Sequence, residues 1–225
     1  MILLYYCPMP EHAFIFDLNG TMVDDMAYHV QAWYRIFREQ GATISLERMR
    51  QECYEKNNEV IERIMPGRFN DIEKSKLSFE KEKEYRRKFK PFLSLVPGLK
   101  EFLEKAYTHK IPMAIGSAAI MPNVDFILDN LGIRNYFSAV VSADEVLYSK
   151  PDPETYIKCA TLLNVNPDRC IVFEDAPRGV ESAQNAGMKS VVVTLWHRPE
   201  EFLQYTNILA FISNFTDKKL AKLIN

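Results

Sequence analysis

Asp17-Leu18-Asn19-Gly20-Thr21 follows the apolar run Ala13-Phe14-Ile15-Phe16 and sets a carboxylate, a glycine turn and a hydroxyl at the exit of a predicted buried strand. A carboxylate is already ionised at neutral pH, so Asp17 needs no partner base to attack phosphorus. Three other sites share that context. Ser117 follows Met113 to Gly116, Glu174-Asp175 follow Cys170 to Phe173, and Lys150 lies in the loop after Ala139 to Val141, just before Pro151. Strand ends of a parallel sheet point one way, so residues distant in sequence converge on one rim. Three clustered carboxylates resist joint ionisation unless a cation sits among them. Hard oxygen donors with no His or Cys beside them favour Mg²⁺ over zinc. Such an ion and Lys150 roughly cancel the three negative charges and admit a phosphate dianion, with Ser117 bonding one phosphoryl oxygen. Taken singly, each residue has a plainer use: an Asx-Gly turn, a loop hydroxyl, a surface lysine, or a cap for the helix that Pro177 begins. Joint occurrence at four successive strand exits favours chemistry.

These residues need strand ends to stand on. Ala13 to Phe16, Met113 to Ile115, Ala139 to Val141, Cys170 to Phe173 and Ser190 to Val193 are short, apolar on both faces and rich in β-branched residues, as buried parallel strands are. Helical patterns lie between them. Val124, Ile127, Leu128 and Leu131 share one face ahead of Gly132. Asp152-Pro153 is an N-cap and first-turn signal for a stripe of Tyr156, Ala160 and Leu163. Val180 and Ala183, closed by Gly187, predict another short helix. The alternation predicts an α/β fold, a doubly wound parallel sheet.

From about Met26 to Phe92 the alternation breaks, and the chain reads as all helix. Met26, Val30, Trp33, Tyr34 and Phe37 form one stripe ended by Gly41; residues 46 to 65 resemble two shorter helices; Asp71 to Lys90 is a long charged one. Glu82–Arg86 and Glu84–Lys88 have the favourable i, i+4 order, so this run reads as a solvated face, not a binding patch. The expected organisation is an α/β core of residues 1–24 and 93–225 with an inserted all-helical cap domain of residues 25–92. An insert leaving from a strand's carboxyl end lies over the cleft where such sheets bind ligands, as a lid.

Bulk composition narrows the classes. A chain of 225 residues, 47% hydrophobic and 26% charged, has the makeup of an ordinary soluble globule. A net charge of −2 offers no global attraction for nucleic acid or an anionic membrane, so phosphate binding must be local. Cys7, Cys53, Cys159 and Cys170 have neither CxxC spacing nor disulfide-scaffold density, and the expectation is reduced thiols in the cytoplasm. The opening Met1 to Tyr6 lacks the basic start and cleavage site of a signal peptide. Monomer and homodimer are equally open.

Four motifs give the chain a resemblance to a family: Phe16-Asp17-Leu18-Asn19-Gly20-Thr21, Gly116-Ser117, Ser149-Lys150-Pro151-Asp152-Pro153, and Phe173-Glu174-Asp175-Ala176-Pro177-Arg178-Gly179-Val180. From Phe14 to about Val193 the pattern resembles the haloacid dehalogenase superfamily, in its phosphatase and β-phosphoglucomutase-like branch with a helical cap. The resemblance implies a Rossmann-like core and a Mg²⁺-dependent phosphohydrolase acting on a small phosphorylated metabolite. It makes Asp17 the nucleophile, with Ser117 and Lys150 binding the phosphoryl group. The Mg²⁺ ligands would be Asp17, the Asn19 carbonyl and Asp175, with Glu174 orienting a water on the ion. Tyr28-His29 and Trp33 match the first cap helix, where the histidine faces the cleft. Substrate contacts on the cap then fall to His29, Lys56 and Asn57.

Two departures stand out. Phosphatases of this family carry Asp two residues after the nucleophile, where it protonates the leaving oxygen; Asn19 cannot exchange a proton, although its carbonyl can still bind metal. Loss of a general acid costs about 10² to 10⁴ in rate, so slow turnover of sugar phosphates is expected unless Asp25 or His29 substitutes. The mutase alternative requires a cap arginine and polar residues after Ser117, whereas the sequence reads Tyr54-Glu55-Lys56-Asn57-Asn58 and Ala118-Ala119-Ile120-Met121. A phosphonatase-like alternative rests on Lys56 as a Schiff-base lysine, one position off the usual place. A third is a catalytically weakened phosphometabolite-binding protein.

Overall fold

The structure, a computed structural model, describes residues 12–224. Met1 to Tyr6 and Cys7, with the expectations attached to them, lie outside the described residues. Six parallel strands, β1 (Ala13–Phe16), β2 (Met113–Gly116), β3 (Ala139–Val141), β4 (Cys170–Glu174), β5 (Lys189–Val193) and β6 (Ile208–Ile212), form one sheet in the order β3-β2-β1-β4-β5-β6. Strand order reverses at β1, and the crevice at that switch point is where such sheets take ligands.

β1 leads into four helices: α1 (Met26–Glu39), α2 (Leu46–Glu52), α3 (Asn57–Ile64) and α4 (Asp71–Phe89). The chain then returns through α5 (Leu99–Thr108), α6 (Met121–Asn130), α7 (Glu154–Leu163) and α8 (Pro177–Asn185) between the remaining strands. Side chains alternate across a strand, and β1 shows why its run is apolar throughout. Phe14 and Phe16 face a core with Phe102, Ile127, Phe173 and Phe215. Ala13 and Ile15 face the opposite one, with Tyr156, Cys159 and Ala160. The four-helix segment has a third core around Trp33, Phe37, Met49, Val60 and Ile61.

The five expected strands and the expected helices form. Strand β6 and helix α5 are additions that the sequence patterns do not predict. β6 is an edge strand reached from β5 through a short 3₁₀ segment, Pro199–Phe202, so no helical pattern announces it. Asp152 does cap α7, accepting the Glu154 N–H at 2.9 Å, but Pro153 holds the N-cap position and the helix starts at Glu154. The long charged helix α4 begins with a capping box: Asn70 accepts from the Glu73 N–H at 3.0 Å and Glu73 accepts from Asn70 at 2.8 Å. Its Glu84–Lys88 pair forms at 3.1 Å. Glu82 does not pair with Arg86, because α4 buries Lys81, Glu82, Tyr85 and Phe89 on one face; Glu82 turns inward to Lys81. Cys53, Cys159 and Cys170 are buried free thiols. No helix among the described residues is long and apolar enough to cross a membrane.

Candidate active site

The register of two strands brings the acids together. Phe16 pairs with Phe173, their rings stack at 4.6 Å, and the Asp17 N–H donates to the Phe173 carbonyl at 2.9 Å. One residue further along each strand, Asp17 and Glu174 stand side by side. Carboxylate oxygens of Asp17, Glu174 and Asp175 all lie within 4.8 Å of one another, and all three residues are buried. Lys150 reaches into this group from the loop after β3. Its Nζ donates to Asp17 Oδ1 at 2.6 Å, Glu174 Oε1 at 2.8 Å and the Gly116 carbonyl at 3.2 Å. Ser117, beyond β2, lines the same cavity and is itself fixed by the Ala119 N–H, which donates to its Oγ at 3.1 Å.

Glu174 has little acceptor capacity left. Oε1 accepts from Lys150 and from the Tyr156 hydroxyl at 2.9 Å, and Oε2 accepts the N–H groups of Asp175 and Ala176, both at 2.8 Å. A carboxylate offers about four lone-pair sites, and all are taken. Glu174 is therefore the anchor for Lys150. Asp175 differs: Oδ1 accepts from the Thr21 hydroxyl at 3.0 Å, while Oδ2 is buried without a partner. Two glycines make room for these carboxylates. A Cβ on Gly20, whose φ is +77°, would lie 2.3 Å from Asp175 Oδ2, and one on Gly179 would lie 1.6 Å from Glu174 Oε1.

Charge balance follows from burial. Desolvation raises the Asp17 pKa to about 7 against the lowering effect of Lys150, and Glu174 adds to the rise. Asp175 is raised well above the ordinary carboxylate range by burial, then by Glu174 and Asp17. Burial alone would lower the Lys150 pKa, yet Asp17 and Glu174 lift it above its usual value. Two carboxyls that resist ionisation, one of them with an oxygen that has no partner, fit a hard divalent cation, which would let both ionise.

A cavity of about 100 Å³ connects this rim to the helical segment. Of the residues expected to act, Asp17, Asn19, Ser117, Lys150, Glu174, Asp175, His29 and Asn57 all line it. Lys56 does not line it. Its ammonium donates to the carbonyls of Val146 and, at 3.3 Å, Leu147, because the α2–α3 connection docks on the loop after β3. The Schiff-base reading of Lys56 fails with that placement. Asn19 Nδ2 donates to Asp25 Oδ2 at 2.5 Å and faces His29 Nε2 at 3.1 Å; Asp25 also accepts from the Tyr85 hydroxyl. His29 stacks on Tyr85 at 3.8 Å, with Lys81 Nζ 2.7 Å from its Nδ1.

Sequence reasoning passes over Lys81, Glu82, Tyr85 and Asn123. Tyr85 and Phe89, four apart in a charged run, are the one available sign that α4 has a buried face. Glu82 accepts from Lys81 at 2.9 Å, Asn57 Nδ2 at 2.8 Å and Asn123 Nδ2 at 2.6 Å. Burial would raise its pKa, but Lys81 and His29 bring it down to about 2.

A doubly wound sheet that gathers an acidic trio, a lysine and a serine beneath a helical segment belongs to an α/β enzyme. The family model for haloacid dehalogenase-like hydrolases matches residues 14–193, and the chain belongs to that family. The fructose-1-phosphate phosphatase of Escherichia coli (strain K12) is 32% identical over 181 residues, covering 80% of this chain and 95% of that protein. The beta-phosphoglucomutase of Bacillus subtilis (strain 168) is 31% identical over 189 residues, covering 80% and 82%. Among solved structures, the beta-phosphoglucomutase of Clostridium difficile matches with a TM-score of 0.83 at 26% identity, over 95% of this chain and 96% of that one. The chain is thus a hydrolase of the phosphatase type, in a family that generally uses Mg²⁺.

Proposed function

We propose that the enzyme is a Mg²⁺-dependent phosphohydrolase of small phosphorylated metabolites, sugar phosphates first among them, and that it works through an aspartyl-phosphate on Asp17. The observation that carries the reading is the position of Lys150 Nζ, 2.6 Å from Asp17 Oδ1 and 2.8 Å from Glu174, beside the unpartnered Asp175 Oδ2. Asp17, the Asn19 carbonyl and Asp175 would hold Mg²⁺, with Glu174 next to them; the bound ion supplies neutralisation of phosphoryl charge.

An oxygen of Asp17 attacks phosphorus, the P–O bond to the leaving group breaks, and an acyl phosphate forms. Lys150 and Ser117 hold the phosphoryl oxygens in line. Water then attacks the acyl phosphate and the C–O–P link breaks, releasing phosphate and the free Asp17 carboxylate, while one proton of that water passes through solvent to the departed alkoxide. Residues 25–92 act as a cap over a core of residues 1–24 and 93–225, excluding bulk water while His29 and Asn57 contact the substrate. Asn19 supplies no proton, so an alkoxide leaves slowly and aryl or acyl phosphates are the faster substrates. The E. coli relative acts on fructose 1-phosphate, which supports a sugar phosphate as substrate.

A weakened phosphometabolite-binding protein is the second reading, motivated by the Asn19–Asp25 pairing. Mutase chemistry finds no donors for a distal phosphate at Ala118 and Ala119. The deciding experiment is release of phosphate from p-nitrophenyl phosphate in Mg²⁺. Steady release that Asp17→Asn abolishes supports the hydrolase; no release across a broad ester panel supports the binding protein.

A further inference from the structure

Phosphoryl transfer leaves one buried carboxylate of the cavity unused. Glu82 on α4 is 3% exposed, lines the cavity, and is held from three sides by Lys81, Asn57 and Asn123. With three of about four acceptor sites filled, it retains one for a hydroxyl donor. The cations near it are already engaged. Lys81 is shared between Glu82 and His29 Nδ1, at 2.9 and 2.7 Å. Arg178, at the cavity's edge, is paired at 2.5 Å with Glu55, which also holds Arg63 at 2.9 Å. In all, five carboxylates and three cationic side chains line the cavity. One divalent cation just balances them, so the reacting phosphate already brings excess negative charge and a second phosphate would add to it.

We propose that Glu82 makes this cavity select monophosphate esters whose far end is uncharged and hydroxylated, and reject bisphosphates and phosphorylated acids. A distal hydroxyl donates to the free lone pair of Glu82, whereas a distal anion meets a fixed negative charge where water screens poorly. Selection thus comes from a repulsive element as much as from an attractive one. The inference rests on the phosphohydrolase reading for the place of the reacting phosphate.

Binding is measured calorimetrically on the Asp17→Asn protein in Mg²⁺, which prevents turnover, with fructose 1-phosphate and fructose 1,6-bisphosphate as probes. The monophosphate should bind at least about tenfold tighter, the equivalent of about 1.4 kcal/mol. On the same background Glu82→Gln should cut that preference to below about threefold, and Glu82→Asp, which keeps the charge, should preserve most of it. Competition of the two ligands against p-nitrophenyl phosphate hydrolysis by the unaltered enzyme reads the same preference with no change in α4. Equal affinity for the two ligands overturns the inference, as does an unchanged preference in folded Glu82→Gln protein. Absence of hydrolysis by the unaltered enzyme, with the ligand preference intact, overturns the hydrolase reading alone.

Discussion

The side-chain amide of Asn19 donates to Asp25 Oδ2 across 2.5 Å. The side chain at position 19, two residues after Asp17, is therefore tied to a neighbouring carboxylate, and Asp25 is held in turn by the Gly20 N–H at 3.1 Å and by Tyr85. Asp25 is fully buried, whereas Asn19 lines the cavity and is only partly buried.

Asn19→Asp would set two carboxyls at that separation, and the two cannot both ionise. One keeps its proton at neutral pH, the state a general acid requires. Turnover of alkyl phosphates should rise by about 10² to 10⁴, with a new ionisation in the pH–rate profile. Aryl phosphates, whose leaving groups need no proton, should change by less than about tenfold. Alkyl phosphate turnover that fails to rise would mean another group already supplies the proton.

Gly179→Ala tests the anchoring of Glu174. The added methyl carbon would fall 1.6 Å from Glu174 Oε1, so the carboxylate must leave Lys150 and Tyr156. A misplacement of about 1 Å costs about 10² in rate, and a buried group left unpaired costs about 1–3 kcal/mol. Both kcat/KM and Tm should drop together. A variant of normal activity would show that Glu174 need not hold Lys150.

Proton and metal binding should compete at the acidic trio. Asp17 has its pKa raised to about 7 and Asp175 is raised as well, so the folded metal-free protein binds more protons than the unfolded chain at intermediate pH. Its stability therefore falls as pH rises from the ordinary carboxylate value of 3.8 through about 7. Mg²⁺ needs those groups ionised and binds only the folded state, so its stabilisation grows over the same interval. Thermal melts with and without Mg²⁺ at pH 5 and pH 8 should show the larger gain at pH 8. An equal gain at both would argue that the ion binds elsewhere.

Three consecutive residues fasten the helical segment to two loops and to the first turn of α8. The Tyr54 hydroxyl meets His197 Nε2 at 2.8 Å, Glu55 pairs with Arg178, and Lys56 bonds the carbonyls of Val146 and Leu147. Glu55 adopts a left-handed backbone (φ 82°) to do so. Arg178 is half-exposed, so Arg178→Ala should cost less than about 1 kcal/mol of stability. Loosening the closed arrangement by that amount should raise KM about fivefold and leave kcat nearly unchanged. Faster hydrogen exchange of the α2–α3 connection in the variant is the direct check, and unaltered exchange speaks against a fastening role.

Much of the site is legible in the order of residues along the chain. Buried parallel strands are written as unbroken apolar runs, and the residue after each run must stand on the same rim, so Asp17, Ser117, Lys150 and Glu174-Asp175 can be gathered from position alone. Of the four helices after β1, the first is legible from its apolar stripe and the stop at Gly41. Helix α4 is legible only as a helix. Its charges alternate so densely that the buried face, carrying Lys81, Glu82 and Tyr85, has the pattern of a solvated one.

What the sequence by itself determined is the alternation of strands and helices and the convergence of Asp17, Ser117, Lys150, Glu174 and Asp175 on one rim, because both follow from local periodicity and the geometry of a parallel sheet. Only the tertiary structure decided where the remaining polar groups spend their hydrogen bonds. Asn19 turns to Asp25, Lys56 docks on the loop after β3, and Glu82 buries its charge because Asn57 and Asn123 arrive from distant helices to satisfy it. A buried charge is tolerable only when its partners are present, and partners from other elements leave no trace in the local pattern.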